Sequence, residues 1–172
     1  MREPAEGSAR DRLEEILARL AEREAEERVF LKLYSDAARV SADAADARRR
    51  AGISLGPLDG RIVSIKDLFD VAGETTTAGS AALADAPPAT GDAAVVARLR
   101  RAGAVIIGKT NMTEFAFSGI GLNRHFGTPG NAADATRVPG GSSSGAGVSV
   151  AEGTSDIAIG SDTAGRYAFR LR

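Results

Sequence analysis

Cysteine and tryptophan are absent from this sequence, and histidine occurs only once, at His125. Without cysteine the chain can form no disulfide, no thiolate nucleophile and no cysteine-ligated metal site, which is typical of a reducing cytoplasm. A single histidine also makes a histidine-rich metal site or a Ser-His-Asp triad hard to build. We therefore expect neither a metal ion nor another cofactor in this protein.

A strong net charge and long apolar runs are missing as well. The formal net charge is −1 at pH 7, so no overall field attracts nucleic acid or an anionic membrane. The sequence contains no apolar run of about 18 residues, and its first residues lack the apolar core of a signal peptide. These absences predict a cytoplasmic protein without a nucleic-acid or membrane partner.

The 172 residues are long enough for one domain, and their apolar side chains are mostly small. Residues 8–50 are rich in Ala, Glu, Arg and Leu, and apolar residues recur there at helical spacing. These apolar residues form two groups: Leu13, Ile16, Leu17 and Leu20, then Phe30, Leu31 and Tyr34. We expect two helices with a break near Arg28, so that residues 1–50 form an N-terminal helical segment.

From residue 51 onward the pattern changes to that of an α/β protein. A glycine-rich loop, Ala51–Gly60, precedes Arg61–Val71, which is nearly continuous in apolar residues, as a strand buried on both faces is. Gly91–Gly103 predicts a helix that ends at its last glycine, and Ala104–Lys109 predicts a second buried strand. The order strand, helix, strand favours parallel pairing.

The rest of the chain is a long loop followed by a helix and a strand. Residues 119–147 are rich in Gly, Pro and Asn, and so long a loop in a compact domain is usually a functional site or a linker. Ser142–Gly153 predicts a helix that is capped by serines, and Thr154–Asp162 predicts another buried strand.

One segment formally matches the Walker A phosphate-binding motif, namely GAVIIGKT at Gly103–Thr110. A phosphate loop needs flexible residues between its glycines, whereas residues 104–107 are Ala, Val, Ile and Ile. We interpret the segment as a buried strand that ends in an exposed lysine, Lys109. The nucleotide-binding alternative predicts ATP binding that is lost in the Lys109→Ala variant.

Two further features indicate chemistry. Pro139–Gly147 reads PGGSSSGAG, which is either a flexible linker or a loop whose glycines allow unusual backbone angles and whose hydroxyls lie at a helix start. Lys66 lies within an apolar strand, where desolvation lowers the pKa of an amine and makes it a candidate general base. The alternative is an ion pair of Lys66 with Asp67 or Asp70.

Four segments in this order, GPLDGRIVSIKD, AGAVIIGKTNMTEFA, PGGSSSG and AIGSDT, resemble the amidase signature family, whose members hydrolyse amide C–N bonds. The resemblance runs from about Gly56 to Thr163. It implies the first part of an α/β/α fold around a large mixed sheet. Residues 51–172 would then be the truncated N-terminal part of the amidase domain, with N-terminal helices before it.

The resemblance also implies a Ser-Ser-Lys triad that needs no cofactor. Lys66 matches the catalytic lysine, and Ser142 matches the bridging serine, which follows a cis peptide bond in this family. The position of the nucleophilic serine is occupied by Arg166. Because arginine stays protonated and cannot form an acyl-enzyme, we expect the chain as written to be catalytically inactive.

The surrounding oxyanion loop departs from the family pattern too. Its residues are Thr163, Ala164 and Gly165, and Ala164 adds a Cβ where the family has glycine. Ser161 occupies the family's threonine position, and we do not expect it to replace the nucleophile.

A change of reading frame is our hypothesis for the end of the sequence. With suitable codons, loss of one base from a family-like Gly-Gly-Ser-Val-Arg-Val-Pro-Ala-Ala coding sequence yields the residues observed at 164–172. We therefore expect residues 164–172 to be out of frame.

Two function hypotheses follow. The first is an inactive amidase-family protein whose family partner is a small-molecule amide, with the choice among small amides, ureido compounds and aminoacyl-tRNA left open. The second is a non-catalytic binding protein that retains part of the amidase scaffold. In either case, missing strands would leave an unpaired sheet edge through which copies of the chain could associate.

Overall fold

A computed structural model describes residues 7–23 and 27–162 of the chain. Its helices and strands are α1 (Ala9–Glu22), β1 (Phe30–Leu33), α2 (Ser35–Arg50), β2 (Ile62–Lys66), α3 (Ala94–Arg101), β3 (Val105–Thr110), α4 (Ser144–Ala151) and β4 (Ile157–Ile159). Two short 3₁₀ turns lie at Ala81–Leu83 and Glu114–Ala116. None of the helices in these two ranges is long and apolar enough to cross a membrane.

The four strands form one mixed sheet in the order β1-β3-β2-β4. Strand β2 is parallel to both β3 and β4, whereas β1 is antiparallel to β3. Helix α3 is the crossover between β2 and β3, so the predicted strand-helix-strand unit is confirmed. Strand β2 is shorter than the predicted segment, because the chain turns immediately after Lys66.

The helical prediction is wrong at Phe30 and Leu31. These residues lie in β1, where Phe30 is opposite Thr110 of β3. The antiparallel pairing with β3 provides the main-chain hydrogen bonds of this segment. Such tertiary pairing outweighs the helical spacing of the apolar residues. The N-terminal segment therefore contributes a strand to the sheet as well as α1 and α2.

Both faces of the sheet are covered, which explains why β2 and β3 are apolar almost throughout. On one face, Ile62, Val105 and Ile107 pack with α1, α2 and Val148 of α4. On the opposite face, a second cluster packs against α3; it contains Val63, Ile65, Ile106, Val96 and Leu99. The result is the α/β/α layering that the sequence predicts.

The sequence predicts the end of α3 correctly. Helix α3 is followed at Gly103 by a φ of +77°, and a Cβ there would collide with the Asp59 carboxylate, which pairs with Arg48. The predicted helix end at Gly103 is thus confirmed.

Strand β4, by contrast, is only half-buried, because it lies at the outer edge of the sheet as the structure describes it. The prediction of a fully buried strand is wrong there.

Candidate active site

The Lys66 amine is the centre of a buried polar site at the carboxyl end of β2. Its side chain is 0% exposed. Its Nζ donates to the hydroxyl Oγ of Ser142 at 2.7 Å and to that of Ser161 at 2.8 Å. The amine thus faces two hydroxyls, one from the loop before α4 and one from the segment after β4.

Ser142 is held by the main chain on both sides. The Gly141–Ser142 peptide bond is cis. The Thr113 N–H donates to the Ser142 carbonyl at 2.9 Å, and the Gly141 N–H donates to the Gly119 carbonyl at 2.8 Å. These bonds fix the loop on the segment that follows β3.

Close packing requires glycines where the Ser142 loop passes the segment that follows β3. A Cβ at Gly121, where φ is +87°, would collide with the carbonyl of Gly140, and a Cβ at Gly141 would lie 2.8 Å from the Gly121 Cα. Two backbones therefore pass each other without room for side chains. Of the two alternatives left by the sequence, the structure favours the ordered loop over the flexible linker.

The serine cap predicted for α4 is wrong. Ser143 occupies the N-cap position, but its side chain makes no cap hydrogen bond. Its hydroxyl instead accepts from the Ser161 N–H and donates to the Ser161 carbonyl, both at 3.2 Å. The α4 start is held elsewhere, because the Gly145 N–H donates to the Asn111 carbonyl at 3.0 Å. Ser143 thus ties the segment after β4 to the helix.

Ser161 is a site residue that the sequence motifs do not reveal. From the motifs, Ser161 is considered only as a replacement for the nucleophile. In the structure its hydroxyl accepts a hydrogen bond from the Lys66 amine. The strand pattern could have placed Ser161 near Lys66, because the carboxyl ends of parallel strands meet at one edge of a sheet. Ser161 follows β4 and Lys66 ends β2, and these two strands are neighbours.

Burial governs the protonation of Lys66. Desolvation lowers the pKa of its amine from the ordinary value of 10.5 to about 8, and the negative charge of Asp162 partly opposes this shift. A substantial fraction of the amine is therefore unprotonated in mildly alkaline solution. An unprotonated amine that contacts two hydroxyls can accept a proton from either.

The alternative pairing of Lys66 with Asp67 or Asp70 is wrong. Asp67 forms an ion pair with Lys109, with the Lys109 Nζ 3.1 Å from the Asp67 Oδ1. The Asp70 carboxylate accepts from the Thr76 hydroxyl at 2.8 Å. The prediction that Lys109 is exposed is wrong too, since its side chain is 3% exposed. The carboxylate of Asp67 offsets the cost of burying it.

The Walker-like segment is also accounted for. Val105–Thr110 is strand β3 in the centre of the sheet, so its main chain is committed to the sheet and forms no phosphate-binding loop.

Thr163, Ala164, Gly165 and Arg166 lie outside the described residues, and their predicted roles stay predictions. In the part of the chain that the structure describes, no cluster of three or more His, Asp or Glu side chains could hold a metal ion.

The buried Lys66 amine contacts the Ser142 hydroxyl directly, which is the geometry that proton transfer between two side chains requires. The amidase family model matches residues 11–166. This match covers most of the chain, and the chain belongs to the amidase family.

Individual relatives agree with this assignment. The chain is 44% identical over 158 residues to AtzE, the 1-carboxybiuret hydrolase subunit of Pseudomonas sp. (strain ADP), covering 92% of this chain and 35% of that protein. It is 47% identical over 152 residues to a glutamyl-tRNA(Gln) amidotransferase subunit of Chloroflexus aurantiacus, covering 88% of this chain and 31% of that one.

The fold agrees with solved structures of the family. The native peptide amidase from Stenotrophomonas maltophilia superposes with a TM-score of 0.77 at 35% identity, over 89% of this chain and 32% of that one. The chain therefore spans about a third of the length of the relatives it matches.

Proposed function

We propose that this chain carries the lysine-serine half of an amidase site, which serves hydrolysis of amide C–N bonds, and that the chain as written is catalytically inactive. The observation that carries the proposal is the 2.7 Å hydrogen bond from the buried Lys66 amine to the Ser142 hydroxyl. The cis peptide bond before Ser142 and the lowered pKa of Lys66 support the same roles.

In an amidase site that retains the nucleophilic serine, the residues at the positions of Lys66 and Ser142 would move one proton in each direction. Neutral Lys66 accepts the Ser142 hydroxyl proton while Ser142 accepts the proton of the nucleophilic hydroxyl, whose oxygen then attacks the amide carbon. The same relay returns the proton to the leaving nitrogen as the C–N bond breaks. Water then attacks the acyl group while the relay takes a proton from it, and this proton returns to the oxygen of the nucleophile as the acyl group leaves, so the starting protonation state is regenerated.

Ser161 has a supporting role in this relay. Its hydroxyl accepts the second hydrogen bond of Lys66, at 2.8 Å, and so fixes the direction of the amine toward Ser142. The Ser143 hydroxyl, bonded to both main-chain groups of Ser161, holds that residue in turn. Within the part of the chain that the structure describes, the base half of the site thus consists of Lys66, Ser142, Ser143 and Ser161.

Inactivity follows from the residue at the nucleophile position. Arg166 has no group that can both attack a carbonyl and be acylated at neutral pH. We also expect Ala164 to disturb the oxyanion loop, because its Cβ restricts the backbone angles at a position where the family has glycine.

A hydrolysis assay tests both parts of the proposal. The 172-residue chain and its Lys66→Ala variant are incubated with simple aliphatic and aryl amides, and ammonia or amine release is followed. We expect neither protein to exceed the buffer control. Turnover that depends on Lys66 would contradict inactivity, and turnover that survives in Lys66→Ala would contradict the site assignment.

Non-catalytic amide binding is the second candidate function. It is favoured by one observation, namely that the Lys66, Ser142 and Ser161 contacts are complete although position 166 lacks the nucleophile. Calorimetric titration with the same amides decides this: a saturable complex of fixed stoichiometry supports it, and concentration-dependent aggregation alone argues against it.

A further inference from the structure

The sheet contains two buried lysines with opposite surroundings, one on each face. In the register of β2 and β3, Lys66 is opposite Thr110 and Ile65 is opposite Lys109. Because side chains alternate between faces along a strand, Lys109 shares the face of Ile65, and Lys66 lies on the other. Ile65 belongs to the cluster that packs against α3. Lys66 faces hydroxyls, whereas Lys109 faces a carboxylate.

The Lys109 ammonium has three acceptors. Its Nζ contacts the Asp67 carboxylate at 3.1 Å, the Thr76 hydroxyl at 2.9 Å and the Thr75 carbonyl at 3.2 Å. An ammonium group has three N–H donors, so each has a partner. The amidase relay proposed above uses neither this ammonium nor its carboxylate.

The Asp67 carboxylate is equally well held. Besides Lys109, it accepts from the Thr77 hydroxyl and from the Gly79 N–H. Its own N–H continues the sheet by donating to the Thr110 carbonyl at 3.1 Å. Asp67 directly follows the last residue of β2, and its side chain lies on the face of Lys109, away from that of Lys66.

We propose that Lys109 is a positioning residue for the amidase site: it holds the Asp67 carboxylate on the far face of the sheet and neutralises it, and so keeps this carboxylate from the adjacent Lys66 amine, which contacts the Ser142 and Ser161 hydroxyls. This inference rests on the proposed function of Lys66 as the base. It also gives a role to the lysine of the Walker-like segment.

The proposed coupling between Lys109 and Lys66 is electrostatic. An acidic group next to a lysine favours its charged form, and a second lysine favours its neutral form. Because Asp67 and Lys109 form a neutral pair, their fields at Lys66 largely cancel. Among the described residues, Asp162 after β4 also acts on the site, because its negative charge favours the ammonium form of Lys66.

The test measures the titration of Lys66 directly. The sequence has three lysines, Lys32, Lys66 and Lys109, so a full chain labelled with ¹³C at lysine Cε gives three signals, assigned with Lys32→Arg and Lys66→Met variants. Each signal is followed by NMR through an alkaline titration. The inference predicts that Lys109→Met raises the Lys66 midpoint by about one pH unit.

The partner variant predicts the opposite shift. Asp67→Asn leaves the Lys109 charge unbalanced and should lower the Lys66 midpoint by about one unit. A purely structural role for the pair predicts no opposed shifts. If Lys109→Met does not fold, Asp67→Asn decides alone, and an unchanged or raised midpoint overturns the inference. The matched control is Asp70→Asn, the same chemical change at an exposed site, which should leave the midpoint unchanged; an equal shift there overturns the inference as well.

The readout is independent of turnover. Hydrolysis is measured separately, in a chimaera of this chain with a relative that supplies the nucleophilic serine. If the two variants shift the Lys66 midpoint in opposite directions but hydrolysis by the chimaera does not depend on Lys66, the proposed function is refuted and the electrostatic coupling stands. Hydrolysis that depends on Lys66, together with no shifts, would refute the coupling alone.

Discussion

The buried Lys66 amine makes the stability of the fold depend on pH in a defined direction. Its pKa is about 8 in the folded chain and takes its ordinary value of 10.5 when the chain unfolds. Between these values the unfolded state binds the extra proton, so the unfolding free energy rises with pH. The stability contribution is complete above pH 10.5 and is lost as the pH falls through about 8.

The magnitude follows from the size of the shift. At about 1.4 kcal/mol per pKa unit, the difference corresponds to about 3 kcal/mol across the window. The Lys66→Met variant removes the titrating group and also leaves the Ser142 and Ser161 hydroxyls without their donor. That second loss is independent of pH, at about 1 kcal/mol per hydrogen bond, so it cancels from the pH dependence.

Urea unfolding of both proteins, at intervals from pH 7 to pH 11, measures the difference. Groups that titrate in both proteins, such as Tyr34, also cancel. The unfolding free energy of the parent minus that of Lys66→Met should increase by about 3 kcal/mol as the pH rises over this range. A difference that stays constant over this range would mean that Lys66 keeps its ordinary pKa in the fold, and its role as the base would lose the support of a lowered pKa.

The remaining predictions concern the scaffold and the end of the chain. Gly103→Ala should lower the unfolding free energy by about 1–3 kcal/mol in urea melts, because it places a Cβ against Asp59 at positive φ; a neutral effect would contradict the close approach of these groups. Sedimentation velocity should show association that grows with concentration, because β4 is an open edge among the described strands; one unchanging monomer boundary would argue against it. Sequencing of the genomic DNA should find a Gly-Gly-Ser amidase continuation in another frame downstream of the Thr163 codon, and its absence would refute the frameshift.

Periodicity makes the centre of the fold predictable. Strands β2 and β3 are nearly continuous in apolar residues because both of their faces are covered, and α3 ends at a glycine for a steric reason. Strand β1 is not predictable in this way. Its residues Phe30–Leu33 are too few to distinguish a strand from a helix, and the deciding interaction is pairing with β3, far along the chain.

The site is predictable where motifs carry it and not where tertiary contacts decide it. Lys66 and Ser142 are 76 residues apart in sequence and hydrogen-bonded in the fold, and the resemblance to the family identifies both. The burial of Lys109 is not predictable, because a lysine near a strand end is normally exposed and its partner Asp67 lies in the turn after a different strand, β2. The contact of Ser161 with Lys66 depends on the pairing of β2 with β4, which no motif encodes.

Hydrolysis by a chimaera tests the central claim most directly. Residues 1–163 of this chain would be joined in frame to the remainder of the Pseudomonas 1-carboxybiuret hydrolase subunit, which is 44% identical over the matched region. Matched variants would carry Lys66→Ala, or arginine at position 166 in place of the nucleophilic serine. We expect amide hydrolysis by the chimaera and none by either variant. Activity that persists without Lys66, or with arginine at position 166, would contradict the account.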